Sequence, residues 1–247
     1  MGVMIVTGGS RGIGAATARL AAARGYAVCV NYRQDAGAAA AVVQDIVAGG
    51  GSAIAVQADV ASEADVLRLF ADTDARLGRV TALVNNAGIV ARQARIGDLD
   101  AARITRMLAI NVLGTIVCAR EAVRRMSTRL GGPGGAIVNV SSVAARLGAP
   151  GEYLDYAASK GAVDTFTVGL AQEVAQEGIR VNGVRPGPIH TDIHASGGEP
   201  ARIERIKGGI PMRRGGQPEE VAHAILWLLS DEASYVTGAC IDVAGGR

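Results

Sequence analysis

The chain has 247 residues, a formal net charge of +2 and no block of like charge. That length allows one or two domains, and the charge balance argues against nucleic acid or an anionic membrane as a main partner. Three scattered cysteines (Cys29, Cys118 and Cys240), with no C-x-x-C, argue against a disulfide framework or zinc site and suit a reducing cytoplasm.

Short apolar runs alternate with helical patterns along the whole chain. The runs cover 3–6, 27–30, 53–56, 82–85, 136–140, 179–184 and 240–243, and helical spacing covers 14–25, 37–48, 62–77, 100–128, 156–177 and 218–230. The first run, Val3 to Val6, is too short for a signal-peptide core. No apolar stretch reaches ~18 residues without polar interruption, so no membrane span is expected. Most runs are continuously apolar, as strands covered on both faces are in a parallel sheet. Ser62 with Asp65 resembles a capping box, Gly25 and Gly178 stand where helices end, and Pro218 sits near a helix start. The pattern predicts an α/β fold in one domain over 1–247: a single doubly wound (Rossmann) parallel sheet of about seven strands with helices on both faces. The segment 187–217 departs from it. It is long, rich in Gly and Pro, with a short helical piece near 200–207, and reads as a substrate loop.

The first strand opens into "TGGSRGIG", Thr7 to Gly14, which leads into the first helix. A Gly-rich turn between strand and helix suits a pyrophosphate, because the helix N-terminus offers free N–H groups and partial positive charge. Gly8 permits the sharp turn, Gly12 the close approach of backbone to ligand, and Gly14 the packing of helix on strand. Ser10, Arg11 and Ile13 complete the candidate loop. Its G-x-x-x-G-x-G spacing alters the usual dinucleotide fingerprint. At the end of the second strand stand Asn31, Tyr32 and Arg33, with no carboxylate to hold a ribose hydroxyl. Arg33 and Arg11 could pair with a 2′-phosphate, so the cofactor expected is NADP in preference to NAD. Asp35 would oppose that choice if the turn brought it inward.

"DYAASKGA", Asp155 to Ala162, places Tyr156 and Lys160 on one helix face. Lysine is scarce here, Lys207 being the other one. Roughly 4% of sequences of this composition would hold such a pair by chance. A free tyrosine is a poor acid or base at neutral pH, and a neighbouring ammonium lowers its pKa. Tyr153 lacks such a partner, since residue 157 is Ala.

These motifs fall in an order that resembles the short-chain dehydrogenase/reductase family over essentially the whole chain. "TGGSRGIG" is followed by "ADV" (58–60), "NNAG" (85–88), Asn111 in "AINVLG", "NVSS" (139–142), "YAASK" (156–160) and "RPGPIHT" (185–191). The similarity is closest to bacterial glucose 1-dehydrogenase-like and 3-oxoacyl-carrier-protein reductase-like oxidoreductases. The resemblance implies that Tyr156 is the acid–base group, that Lys160 lowers its pKa and binds the nicotinamide ribose, and that Ser142 holds the substrate oxygen. It implies that Asn111 anchors a water linking Lys160 to solvent. Asp59 and Val60 would flank the adenine, Asn86, Ala87 and Gly88 would border the cofactor, and Pro186, Gly187, Ile189 and Thr191 would sit at its nicotinamide end. It further implies a small carbonyl or alcohol substrate and a homotetramer or homodimer. A non-catalytic dinucleotide-binding sensor or scaffold is the alternative, which has no need of the Ser142, Tyr156, Lys160 and Asn111 set. The stretch "RLGAPGEYLD" between Ser142 and Tyr156 is longer than in many relatives. Glu152, Tyr153, His190, His194 and 195–200 either line the substrate pocket or form a solvated loop. His190 and His194 lack a convincing third ligand, so no metal is expected.

Overall fold

The computed structural model describes residues 2–247, the side chain of His194 excepted. Seven strands form one parallel sheet: β1 (Val3–Val6), β2 (Ala27–Tyr32), β3 (Ser52–Gln57), β4 (Ala82–Asn85), β5 (Gly135–Val140), β6 (Ile179–Pro186) and β7 (Cys240–Val243). Their order is β3-β2-β1-β4-β5-β6-β7. The direction of winding reverses between β1 and β4, and ligand crevices of such sheets open at that point, beyond the carboxyl ends of the strands.

Alternate side chains of each strand feed two separate cores. Val3 and Ile5 of β1 join Cys29, Leu83, Ile137 and Val181 on one face. That face is covered by α3 (Glu63–Leu77), α5 (Gly114–Met126) and α7 (Leu154–Val174), through residues such as Phe70, Cys118 and Val174. Met4 and Val6 join Val28, Val84 and Val138 on the other, under α1 (Gly12–Ala23), α2 (Ala36–Ala48) and α10 (Pro218–Leu229). The period-2 alternation is hidden in the sequence because both faces are apolar.

Four local expectations change. The helix read over 100–128 is broken: α4 (Ala101–Leu108) passes into a π-helical turn, Ala109–Leu113, before α5 begins. By length and mean hydropathy the run Ala101–Met126 would pass as a membrane span, contrary to the sequence reading, but Val117, Cys118, Ala119, Ala122 and Met126 sit in the core. The box at Ser62 is half formed. Ser62 accepts the Asp65 amide, but Asp65 turns its carboxylate to the Asp59 amide. A full box stands at α10, where Gln217 and Glu220 cap reciprocally ahead of Pro218. Three short helices precede or lie within the expected substrate loop: α6 (Ala144–Leu147) before it, and α8 (Ile193–Ser196) and α9 (Arg202–Ile206) inside it, α9 matching the helical piece expected near 200–207.

Candidate active site

The turn after β1 needs glycine at two positions where φ is positive, +61° at Gly8 and +51° at Gly12. Gly14 serves a different packing from the one expected: a Cβ there would lie 2.4 Å from the Gly8 carbonyl and 2.5 Å from Asn86 Nδ2. Arg11 caps α1 with extended backbone and no side-chain cap, and no acidic residue occupies the first turn. The helix therefore presents uncapped N–H groups to the crevice, as an anion site requires.

Three side chains hold this crevice in shape. Thr7 Oγ1 accepts the amides of Asn86 and Ala87, each at 3.0 Å, while Asn86 Nδ2 donates to the carbonyls of Thr7 and Gly8. Asn31 is buried, accepts the Gly8 amide at 3.2 Å and donates to the Ala58 carbonyl at 3.0 Å. Asn31, taken from sequence as a ligand contact, is thus also the tie between the ends of β1, β2 and β3. Asp35 caps α2 by accepting the Ala38 amide at 2.9 Å, which commits its carboxylate to the helix. Arg33 approaches Asp59 at 3.7 Å across the mouth.

Gly8, Ser10, Arg11, Gly12, Ile13, Asn31, Tyr32, Arg33, Asp59, Val60, Asn86, Ala87, Gly88 and Thr191 line one cleft of about 890 Å³. Ser142, Tyr156, Lys160, Pro186, Gly187 and Ile189 line an adjoining cavity of about 560 Å³. The two meet at Ile13, Asn86, Gly88 and Thr191. Gly14 and Asn111 stand behind these walls.

β5 and α7 bring the reactive set together. Lys160 is buried and its Nζ donates to the Val140 carbonyl at 2.7 Å. The same nitrogen lies 5.7 Å from the centre of the Tyr156 ring. Burial pulls the Lys160 ammonium down to about 8, with Asp164 one turn further on opposing that shift. Burial pushes the Tyr156 phenol above its ordinary value, and hydrogen bonding with Ser142 offsets part of the rise. Desolvation of the phenolate therefore dominates at Tyr156, with Ser142 rather than Lys160 opposing it. Ser142 Oγ in turn accepts the Ala144 amide at the start of α6, fixing the hydroxyl.

Asn111 sits in the π turn, a feature often found at functional sites. Its Oδ1 accepts the Ile89 amide at 2.8 Å, and its Nδ2 donates to the Ile89 carbonyl and to Ser159 Oγ. Ser159 then donates to the Tyr156 carbonyl at 2.7 Å. The Asn111 side chain thus tethers the segment following β4 to the helix turn of Tyr156. A Cβ on Gly88 would lie 3.4 Å from both Asn111 Oδ1 and Lys160 Nζ, so glycine keeps that corner open. Sequence reasoning missed Thr7 and Ser159, although both lie inside quoted motifs.

Glu152 and Tyr153 line the second cavity, together with Arg202 and Arg205 of α9. Glu152 accepts from both arginines, Glu199 pairs with both as well, and Arg202 stacks 4.7 Å from the Tyr153 ring centre. His190 lies outside the lining of either cavity, and the His194 side chain lies outside the described residues. Among the described residues no three His, Cys, Asp or Glu side chains converge as metal ligands would.

A family profile described as enoyl-(acyl carrier protein) reductase matches residues 8–247. An uncharacterised oxidoreductase of Escherichia coli, YgfF, is 60% identical over 247 residues, covering all of both chains. A 3-oxoacyl-[acyl-carrier-protein] reductase of Synechocystis is 42% identical, covering 99% of this chain and 96% of its own. A solved short-chain dehydrogenase/reductase of Serratia marcescens superposes with a TM-score of 0.92 at 33% identity, covering 99% of this chain and 97% of that one.

Proposed function

The chain belongs to the short-chain dehydrogenase/reductase family and is an oxidoreductase, and on that premise we propose that it is NADP-dependent and interconverts a ketone and a secondary alcohol with Tyr156 as acid–base group. The observation that carries this reading is the meeting of two cavities at one corner. Tyr156, hydrogen-bonded with Ser142, stands there with Lys160 buried beside it.

The residues fit a dinucleotide. The uncapped start of α1 and the turn at Gly8 and Gly12 suit the pyrophosphate, and Asp59 and Val60 suit the adenine end. Arg11 and Arg33 at the mouth, with Asp35 spent on α2, favour a 2′-phosphate. When bound, the cofactor supplies or accepts the hydride. In reduction the Tyr156 hydroxyl gives its proton to the carbonyl oxygen, which Ser142 holds by a hydrogen bond; in oxidation Tyr156 takes the proton back. Lys160 keeps positive charge beside the ring, favouring the phenolate that this transfer leaves behind.

The cavity favours a ketone with an apolar body, of 3-oxoacyl type, over a sugar. Val90, Val143, Leu147, Pro150 and Ile206 line it. Several of its polar groups away from the reactive set are spent: Asn86 on the β1 turn, Glu152, Arg202 and Arg205 on one another. A sugar needs a partner for each hydroxyl it buries. We further propose a homotetramer and a cytoplasmic location. Leu108, Leu113 and Ile116 on α4–α5 and Val168 on α7 stay exposed on the single chain, and the three cysteines are free.

Steady-state rates with NADPH and NADH against a panel of sugars, short ketones and 3-oxoacyl thioesters test the proposal. Tyr156→Phe should bind NADPH unchanged and lose about 10²–10⁴-fold in kcat. Near-normal turnover in that variant would rule out the mechanism, and a higher kcat/KM with NADH would rule out the cofactor assignment.

A further inference from the structure

Tyr156 is the third residue of α7, and Tyr153 at the capping position contributes no side-chain cap. Asp155 is the acidic residue of that first turn, where negative charge is favourable. Its carboxylate is 1% exposed and held by Arg103 of α4, whose Nε and Nη2 donate to its two oxygens at 2.7 and 3.2 Å. Burial alone would raise the Asp155 carboxyl; Arg103 and the helix backbone outweigh it and hold the group ionised.

Arg103 has a third attachment. Its Nη1 donates at 2.7 Å to the carbonyl of Arg92, in the segment that follows β4. Arg103 lines the larger cleft, whereas Asp155 lines neither cavity. A two-pronged guanidinium–carboxylate contact fixes direction as well as distance. Removing one partner from a buried pair also leaves the other charge unpaired.

We propose that the Arg103–Asp155 ion pair is a positioning device for Tyr156, locking the first turn of α7 onto α4 and onto the segment after β4. The inference rests on the reading of Tyr156 given above. Neither residue touches the reacting atoms; both act through the turn that carries the phenol.

The test uses the full chain with two variants. Asp155→Asn keeps an oxygen acceptor for Arg103 and loses the charge, and Asp155→Ala loses both. Positioning predicts that kcat for a ketone with NADPH falls ~10-fold in Asp155→Asn and ~100-fold in Asp155→Ala, the scale of a misplaced reacting group. The KM for the ketone and the Kd for NADPH should stay within about twofold of wild type. Amide exchange, followed by mass spectrometry, should quicken over 152–160 in the same rank order while the peptides of β1 and β4 keep their protection. A kcat within about twofold of wild type in the variants would overturn the proposal, and so would unchanged exchange over 152–160. If Asp155→Ala does not fold, Asp155→Asn is held to the same criteria. A wild type that turns over no ketone would sink the functional reading instead, and the exchange measurement would then decide this one.

Discussion

Burying an ammonium without a carboxylate partner costs free energy, and a protein meets part of that cost by lowering the pKa. Lys160 shows this directly, at about 8 in the folded chain against 10.5 for the free side chain. The sign follows from proton counting. Below about pH 8 both folded and unfolded forms carry the proton, and the full burial penalty weighs on the fold. Between about 8 and 10.5 the unfolded form binds more protons than the folded one, so this residue's penalty is relieved as pH rises. The relief is on the order of 3 kcal/mol across that window. Cys29 and Cys118, each pushed by burial to about 12, act the opposite way above their free value of 9.0. The useful measurement is therefore a difference. Urea unfolding of wild type and Lys160→Met from pH 7 to 10.5 should show the variant's stability advantage shrinking steadily above pH 8. A difference independent of pH would show that Lys160 is not held at a lowered pKa. At this scale the sequence was legible where chemistry demands particular residue types. Spacing and scarcity singled out Tyr156 and Lys160, and the resemblance of the ordered motifs to a known family added Ser142. Asn31, Thr7 and Ser159 could not be assigned their tying roles, because each bonds to residues brought near only by the fold.

Elements were legible wherever hydrophobic pattern or glycine punctuates the chain, and illegible where the apolar pattern runs on across a break. The π turn at 109–113 is an example of the second kind. One extra residue in a helical ladder hardly disturbs the apolar pattern on either side, so 100–128 reads as a single helix. The end of α10 is legible to within one residue, at 230, but what closes it is not. No glycine closes it. Arg180 of β6 does so instead, donating to the carbonyls of Leu228 at 2.6 Å, Ser230 at 3.0 Å, Leu229 at 3.2 Å and Val236 at 3.4 Å. Those of Leu228, Leu229 and Ser230 are terminal acceptors that the helix itself cannot satisfy, and a cation there also meets the negative end of the helix dipole. Arg180→Met keeps much of the side-chain bulk and removes every donor. It should destabilise the fold by about 2–3 kcal/mol, the cost of orphaned acceptors and lost charge-assisted bonds. Denaturant melts should show this as a lower midpoint with an unchanged slope, while kcat per folded molecule stays at the wild-type value because Arg180 is remote from both cavities. A stability within 0.5 kcal/mol of wild type, in the range of an ordinary surface change, would assign the termination of α10 to its packing alone.

On the scale of the whole molecule, the doubly wound sheet sets where the cavities open, but it leaves open how the substrate side is closed. The βα alternation points to a doubly wound sheet, and the strand order seen in the fold places the crevice between β1 and β4. The closure depends on α9, the short helical piece expected near 200–207 within the substrate loop. It is held across the cavity by four charged side chains from two distant stretches: Glu152 ahead of α7, and Glu199, Arg202 and Arg205 around α9. Arg202 is 13% exposed and stacks on Tyr153, so part of this network is shielded from solvent, whereas Arg205 is half exposed. An exposed ion pair contributes only ~0–1 kcal/mol and weakens with salt. Several sharing one helix can still set how far that helix stands open. Glu152 carries the ion pairs between α9 and the stretch that leads to Tyr156, beside the stacking of Arg202 on Tyr153, so Glu152→Gln should loosen the closure without touching the acid–base set. We expect KM for an apolar ketone to rise about three- to tenfold, as a loss of ~1 kcal/mol in closure requires, with kcat changed less than KM. Wild type should lose affinity between 0.05 and 0.5 M NaCl as its exposed pairs are screened. The variant, already missing the link, should respond more weakly to salt. Equal salt dependence in the two proteins would mean that α9 is seated by its apolar contacts, Ile203 and Ile206, and that the charges merely decorate it.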